Sequence, residues 1–272
     1  KNLEFLVVQD IFMNETAEFA DVVLPACCYA EKDGTQTSTE RRVQMWRKAQ
    51  DPPGQAKLDW VIIKEIAAKM GYEKQVPWNS AEDIFEEIRK VTPSYAGMSY
   101  ARLNKPEAAH WPCPAPEHPG TPILHREKFA HPDGLGQFFA VPYKPPAEVP
   151  DAQYPFVLTT GRCLWHWHTG TMSRRSDSLE NEEPTGWIEI NTEDAKALGI
   201  KDKEVVRAIT RRGQVDVPAR VTSDIMKGVM FMPFHFKECA ANVLTNNALD
   251  PIAKIPEFKA CAIKVEKIAE AK

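Results

Sequence analysis

Residues 155–175, PFVLTTGRCLWHWHTGTMSRR, constrain this chain more than any other stretch. A short apolar run, Phe156 to Leu158, has the length and content of a buried strand. It breaks at Thr159-Thr160-Gly161 into a dense loop of hydroxyls, imidazoles, indoles and guanidiniums. Glycine exposes backbone N–H groups, and with Ser and Thr hydroxyls these cradle anionic oxygens. Arginine adds charge and a forked donor. A lone Arg or His in such a place usually faces solvent. Several phosphate-competent groups in one loop, directly after a strand, favour an anion-binding reading.

The remaining chain predicts two kinds of architecture in series. Residues 3–10, LEFLVVQD, form an apolar run that stops at Gln9 and Asp10, as a strand does at a ligand crevice in an α/β sheet. Asn14 or Thr16 is placed to cap a short helix, and Val22 to Leu24 reads as a second strand closed by Pro25. That succession suits the end of a doubly wound, largely parallel sheet. By composition, residues 27–46 read as a solvated loop with a charge cluster at Glu40-Arg41-Arg42. Two helices follow, one opening at Asp59 and stopping at Gly71, the other opening at Ser80 with an acid three residues on. Prolines then cluster over 93–150, predicting an extended connection with little regular structure apart from a strand over Phe138–Val141. Four histidines in it (110, 118, 125 and 131) match no metal-ligand spacing. From 151 the chain becomes a series of short strands: 187–190, 204–210 and 214–221 around a turn at Arg211-Arg212-Gly213, 228–233, and 260–265. One short helix, capped by Asn191 or Thr192 and stopped by Gly199, interrupts them. Many short strands joined by turns predict a closed barrel. The resulting division is 1–92, 93–150 and 151–272.

Composition limits the function classes. The chain has 272 residues, 43% hydrophobic and 26% charged, so a sizeable core is within reach. A net charge of −4 is wrong for a protein held to nucleic acid by charge. No apolar run reaches the roughly 20 residues that span a bilayer, and no secretory signal pattern is seen. The six cysteines include no C-x-x-C pair, which predicts reduced thiols in a cytosolic compartment rather than a zinc or cluster site. The first residue is Lys1 and the chain enters a strand almost at once, so a longer protein with an upstream portion is expected.

Three segments, in order, resemble the molybdopterin oxidoreductases. VVQDIFMNETAEFADVVLP at 7–25, with EKDGT and TERRVQ, is similar to the closing half of that family's third domain. TTGRCLWHWHTGTMSRR at 159–175 resembles the opening of its fourth domain, and NVLTNNALDPIAKIPEFKACAIKVE at 242–266 its end. Within the family, QDIFMNETA with HWHTGTM resembles the alpha (catalytic) subunits of cytoplasmic formate dehydrogenases more than the nitrate reductases. The resemblance implies the end of a doubly wound α/β domain followed by a double-psi β-barrel. It implies bis-molybdopterin guanine dinucleotide with molybdenum or tungsten, and reversible two-electron oxidation of formate to carbon dioxide. It places the [4Fe-4S] cluster, the metal ligand and the catalytic His in an N-terminal portion upstream of this chain. Expected partners are that portion and an electron-transfer beta subunit carrying iron–sulfur or flavin groups. The alternatives are a nitrate reductase-like relative or a non-catalytic pterin-binding scaffold.

Carried over residue by residue, Gln9 and Asp10 resemble contacts to a guanosine, with Thr16 and Asp21 as weaker candidates. Thr160, Gly161, Arg162, His166, Trp167, His168 and Thr169, joined by Gly170, resemble the loop around a pterin and its pyrophosphate. Asn242, Phe258 and Lys259 resemble the second contact from the barrel. Some relatives carry Tyr where this chain has Phe258, so stacking alone is implied there. Arg41 or Arg42, in the ERR motif, is implied to steer formate. No residue of this chain is implied as a metal ligand.

Overall fold

The computed structural model describes residues 2–105 and 109–268, in two units comprising residues 1–139 and 140–272. The first unit opens on β1 (Val7–Asp10) and β2 (Val22–Pro25), paired in parallel with Val7 opposite Val22 and Asp10 opposite Pro25. A single 3-10 turn at Ala17–Phe19 joins them. Thr16 is its N-cap residue, and the Asn14 Oδ1 just before it accepts from the Thr16 and Ala17 N–H groups at 3.1 and 3.0 Å.

Residues 27–46 are not a solvated loop. β3 (Gly34–Thr37) and β4 (Arg42–Trp46) form an antiparallel hairpin, and β5 (Ala109–His110) adds to β4. In β4, Arg42 and Gln44 face water while Val43 between them points inward and is 1% exposed, a half-buried pattern that composition alone conceals. Helices α1 (Asp59–Lys69) and α2 (Ala81–Val91) form where their start and stop residues place them. Ser80 caps α2, its hydroxyl accepting from the Asp83 N–H at 3.1 Å.

The proline-rich stretch also departs from its expectation. Its front half folds into the first unit through α3 (Tyr100–Leu103) and β5, and Met98, Tyr100, Leu103, Ala109 and Cys113 share a core with Val43 and Phe85. Prolines remove N–H donors but leave carbonyls that need partners. Arginines supply them. Arg102 donates to the carbonyls of Gly97, Pro116 and His118 at 3.1, 3.0 and 2.6 Å. Arg41 does the same for Trp111, Thr121 and Pro122. From 122 to 150 no helix or strand is formed, so the strand expected at Phe138–Val141 is absent, and Phe138 is 99% exposed.

The second unit is a closed barrel. Its strands are β6 (Phe156–Gly161), β7 (Ile188–Asn191), β8 (Val205–Ile209), β9 (Gln214–Thr222), β10 (Val229–Pro233) and β11 (Cys261–Lys267). They close in the order β10-β6-β11-β8-β9-β7. Two neighbouring pairs, β6 with β10 and β7 with β9, run parallel and the others antiparallel. A closed mixed barrel with two parallel pairs is the arrangement expected of a double-psi barrel. Alternate residues fill it: Leu158, Ile188, Ile190, Val206, Ala208, Val217, Ala219, Met230, Met232 and Ile263 are all at most 2% exposed. The short helix α4 (Asp177–Glu182) follows the opening loop. Helix α5 (Thr192–Leu198) is capped by Asn191, which accepts from the Glu193 N–H at 2.9 Å, and Gly199 ends it. None of the helices described is long and apolar enough to cross a membrane.

Candidate functional site

The parallel pairing of β6 and β10 decides where the polar residues gather. Pro233 lies opposite Gly161, so both strands end at the same mouth of the barrel and their loops leave side by side. The Phe234 N–H donates to the Gly161 carbonyl at 3.1 Å, extending the pair by one step. A Cβ at Gly161 would sit 2.6 Å from the Phe231 ring, so glycine leaves the space that ring occupies. β11 runs antiparallel to β6, with Cys261 opposite Leu158. Residues just before β11 therefore reach the same mouth.

Of the residues named from the sequence, the barrel brings Thr160, Gly161, Phe258 and Lys259 together. The Thr160 hydroxyl, buried, donates to the Phe258 carbonyl at 2.9 Å. Lys259 Nζ donates to the Thr160 carbonyl. Lys259 has no carboxylate partner among the described residues. The Phe258 ring is 42% exposed and offers a face to stack on. Asn242 lies in a 3-10 turn at Ala241–Val243, its side chain exposed and its carbonyl accepting from the Thr245 hydroxyl at 3.2 Å.

The loop after β6 divides into an inner and an outer set. His166 belongs to the inner set, contrary to its expected role. It is 3% exposed, with Nδ1 at 3.2 Å from the Ser173 hydroxyl and Nε2 at 2.7 Å from the Glu183 carbonyl. Both ring nitrogens are engaged in holding the loop, and neither is left for a ligand. Ser173 also accepts from the Trp167 N–H at 3.0 Å. The outer set is Arg162, Trp167, His168 and Thr169, all exposed. The Arg162 guanidinium lies over the Trp167 ring at 4.6 Å and 3.3 Å from His168 Nε2. It too lacks a carboxylate partner among the described residues. Thr169 and Thr171 hydroxyls are 3.0 Å apart.

Two backbone features bend this loop. His168 has a positive φ of 48° and Gly170 one of 74°. At Gly170 a Cβ would meet the Arg174 side chain at 2.8 Å, so glycine is required for space as well as for conformation. Arg174 is not an available anion donor. It pairs with Glu180 at 3.0 Å and Glu238 at 2.8 Å and lies over the Phe236 ring. Its hydrogen bonds to the Glu180 carboxylate hold the guanidinium even more firmly protonated than usual.

Sequence reasoning did not single out His235, in the loop after β10. It is 2% exposed and its two nitrogens bond across to the loop after β6. Nε2 accepts from the Cys163 N–H at 2.9 Å, and Nδ1 bonds the His168 carbonyl. Burial keeps it below its ordinary pKa. The one available signal was a histidine between two phenylalanines directly after an apolar strand.

The residues named in the first unit have local partners. The Asp10 carboxylate accepts from the Phe12 N–H at 3.0 Å and the Asn14 amide at 2.8 Å. Gln9 donates to Asp59 at 2.9 Å, and Asp59 pairs with Lys32. Asp21 accepts from the Leu6 N–H at 2.7 Å. Arg41 has a positive φ of 68°, and its guanidinium is filled by three carbonyls. That engagement removes it as a group that steers substrate. Arg42 is exposed and bonds Glu40 at 3.0 Å.

Comparison with known proteins agrees with this geometry. Residues 1–69 match the family model described as molybdopterin oxidoreductase, and residues 156–262 that described as molydopterin dinucleotide binding domain. The chain is 58% identical over 268 residues to the F420-dependent formate dehydrogenase subunit alpha of Methanocaldococcus jannaschii, covering 98% of this chain and 40% of that one. It is 39% identical to the assimilatory nitrate reductase catalytic subunit of Bacillus subtilis, covering 97% and 38%. It is 38% identical to formate dehydrogenase H of Escherichia coli, covering 99% and 38%. The chain thus spans about two fifths of the length of these curated relatives. Among solved structures, acetylene hydratase from Pelobacter acetylenicus has the same fold, with a TM-score of 0.77 at 20% identity over 98% of this chain and 41% of that one. The chain belongs to the molybdopterin oxidoreductase family, and its barrel is that family's dinucleotide-binding domain.

Proposed function

We propose that this chain is part of the alpha, catalytic subunit of a formate dehydrogenase that interconverts formate and carbon dioxide in a two-electron step. The observation that carries this reading is the 58% identity to an F420-dependent formate dehydrogenase alpha subunit across 98% of the chain, against 39% to a nitrate reductase. The nitrate reductase-like alternative is therefore less well supported, and so is a scaffold without chemistry. On the same ground the electron acceptor is F420. The family resemblance adds, as partners, an upstream portion of the subunit with a [4Fe-4S] cluster and a beta subunit. Six unbridged thiols suit a cytoplasmic location.

The cofactor of this reading is bis-molybdopterin guanine dinucleotide with molybdenum or tungsten, and the barrel mouth fits such a group. A dinucleotide brings a pyrophosphate, and buried negative charge is tolerated only when paired. Arg162 and Lys259 are two cations without carboxylate partners among the described residues. The exposed Thr169 hydroxyl and the half-exposed Phe258 ring add a donor and a stacking face.

Arg162 and Lys259 would hold the pyrophosphate, Trp167 and Phe258 would stack, and His168, Thr169 and Asn242 would hydrogen-bond the heterocycle or phosphate edges. Gln9 and Asp10 would read a guanine, Asp10 once its carboxylate gives up a local partner. When bound, the metal–pterin group supplies the electron exchange with substrate, and the protein binds and orients it. Arg42 is the remaining candidate of the ERR motif for attracting formate.

The test is analysis of the purified full complex. Molybdenum or tungsten, GMP released by acid hydrolysis, and formate-dependent F420 reduction are expected together. A complex with neither metal nor GMP would sink the enzyme reading. Nitrate reduction without formate oxidation would select the alternative.

A further inference from the structure

His235 lies in a loop that none of the expected contacts uses, yet it is almost fully buried and touches the other loop at two points. Its hydrogen bonds define its chemical state. Cys163 offers an N–H, so Nε2 must accept and carry no proton. The His168 carbonyl only accepts, so Nδ1 must donate. Only the neutral ring with its proton on Nδ1 satisfies both.

The His168 carbonyl is the informative partner. His168 has a left-handed φ, a conformation a non-glycine residue holds only when its surroundings impose it. In a trans peptide the carbonyl and the following N–H point in opposite directions. Drawing the His168 carbonyl toward the buried imidazole therefore turns the Thr169 N–H away from it. Among the described residues nothing accepts from that N–H, and Thr169 is exposed next in the chain to His168, whose ring lies 3.3 Å from Arg162. With the peptide flipped, a carbonyl oxygen would stand there instead and repel an anion.

We propose that His235 is a positioning residue: as the neutral Nδ1–H imidazole it fixes the His168–Thr169 peptide so that the Thr169 N–H is preset to donate to an anionic oxygen of the dinucleotide. This rests on the reading that the barrel mouth holds a dinucleotide. The clasp is sensitive to acid. A proton on Nε2 opposes the Cys163 N–H and breaks that bond. The other charged or titratable groups facing the ring are Arg162, His166 and His168, all from the loop after β6, and on its own loop Phe234 and Phe236 pack against it. Because burial lowers the ring's pKa, the clasp is intact at and above the ordinary histidine value of 6.5 and is lost as pH falls through the lowered value.

The experiment uses the full catalytic complex and counts protein-bound GMP after acid hydrolysis, following dilution into buffers from about pH 7.5 to about pH 5, where histidine titrates. His235→Asn keeps a donor at the Nδ1 position, and His235→Gln keeps only an acceptor at the Nε2 position. Loss of one directed hydrogen bond predicts release about tenfold faster in H235Q than in H235N. Wild type is expected to release GMP more readily toward acid, and H235N to lack that acid step. Equal release from both variants, or an unchanged acid step in H235N, overturns the proposal. Should the variants not fold, wild-type retention that stays flat across the same range overturns it. Wild type without GMP at any pH is a different failure, because it removes the dinucleotide reading itself.

Discussion

The Thr160 hydroxyl donates to the Phe258 carbonyl at 2.9 Å, joining residues 98 positions apart at the mouth of the barrel. The bond fixes the segment before β11 against the end of β6, and Lys259 returns the contact through the Thr160 carbonyl. Thr160 is 3% exposed, so its removal strands a buried acceptor. Thr160→Val is expected to lower unfolding free energy by about 1–3 kcal/mol in urea titration. Bound GMP is expected to fall with it. Unchanged stability would show that water replaces the hydroxyl.

Arg162 and Lys259 carry the electrostatic part of the proposed function. Arg162→Ala and Lys259→Ala are each expected to reduce the GMP content of the purified complex, more so at high salt, where the remaining pairs are screened. Arg162 is exposed, so R162A is expected to leave the melting temperature where it was. Full GMP content in both variants would mean that the polar loops are incidental.

Much of this site was legible in the sequence because strand ends and loops announce themselves. The β6 run, its break at Thr159-Thr160-Gly161, the hairpin around Arg211-Arg212-Gly213 and the Asn191 cap all fall where pattern and turn chemistry place them. What stayed hidden depends on partners far away in the chain. His166 and His168 look alike in sequence. One is buried against Ser173 and Glu183 and the other is exposed, because the loop turns left-handed at His168. Arg41 and Arg42 look alike too. The carbonyls that claim Arg41 lie about 70–80 residues on, beyond any local pattern. The same distance hid the folding of residues 93–105 and 109–121, several of whose carbonyls are served by arginines.

The two arginines of the ERR motif can be separated by experiment. Arg41→Ala removes donors from three carbonyls and is expected to destabilise the first unit by about 1–3 kcal/mol, read by chemical denaturation. Arg42→Ala removes one exposed pair with Glu40 and is expected to leave stability unchanged. If Arg42 attracts formate, R42A raises KM with little change in kcat. A raised KM in a stably folded R41A would restore Arg41 as a steering group.

Gly170 is the position where conformation and space coincide. Gly170→Ala forces a side chain into a φ of 74° and against Arg174 at 2.8 Å. The left-handed conformation alone costs about 1–2 kcal/mol. The variant is expected to melt at lower temperature and to lose bound GMP, since Arg174 must leave Glu180 or Glu238 to make room. Normal melting with normal GMP content would show that the loop relaxes freely.

Acid should weaken the barrel mouth through Glu238 as well. The hydrogen bonds from Arg174 hold its carboxyl below the ordinary value of 4.5. Folded protein therefore binds that proton less well than unfolded chain, and the unfolded state takes it up first as pH falls. The stabilising contribution is complete above 4.5 and disappears as pH drops through the lowered value. Glu238→Gln removes this contribution at neutral pH and is expected to flatten the acid limb of the stability profile. Because the group is about half exposed, the pair is screened and the effect is modest. Thermal melts of wild type and E238Q across the acid range check this. Profiles that run parallel, with no convergence below 4.5, would assign the acid sensitivity to another carboxylate.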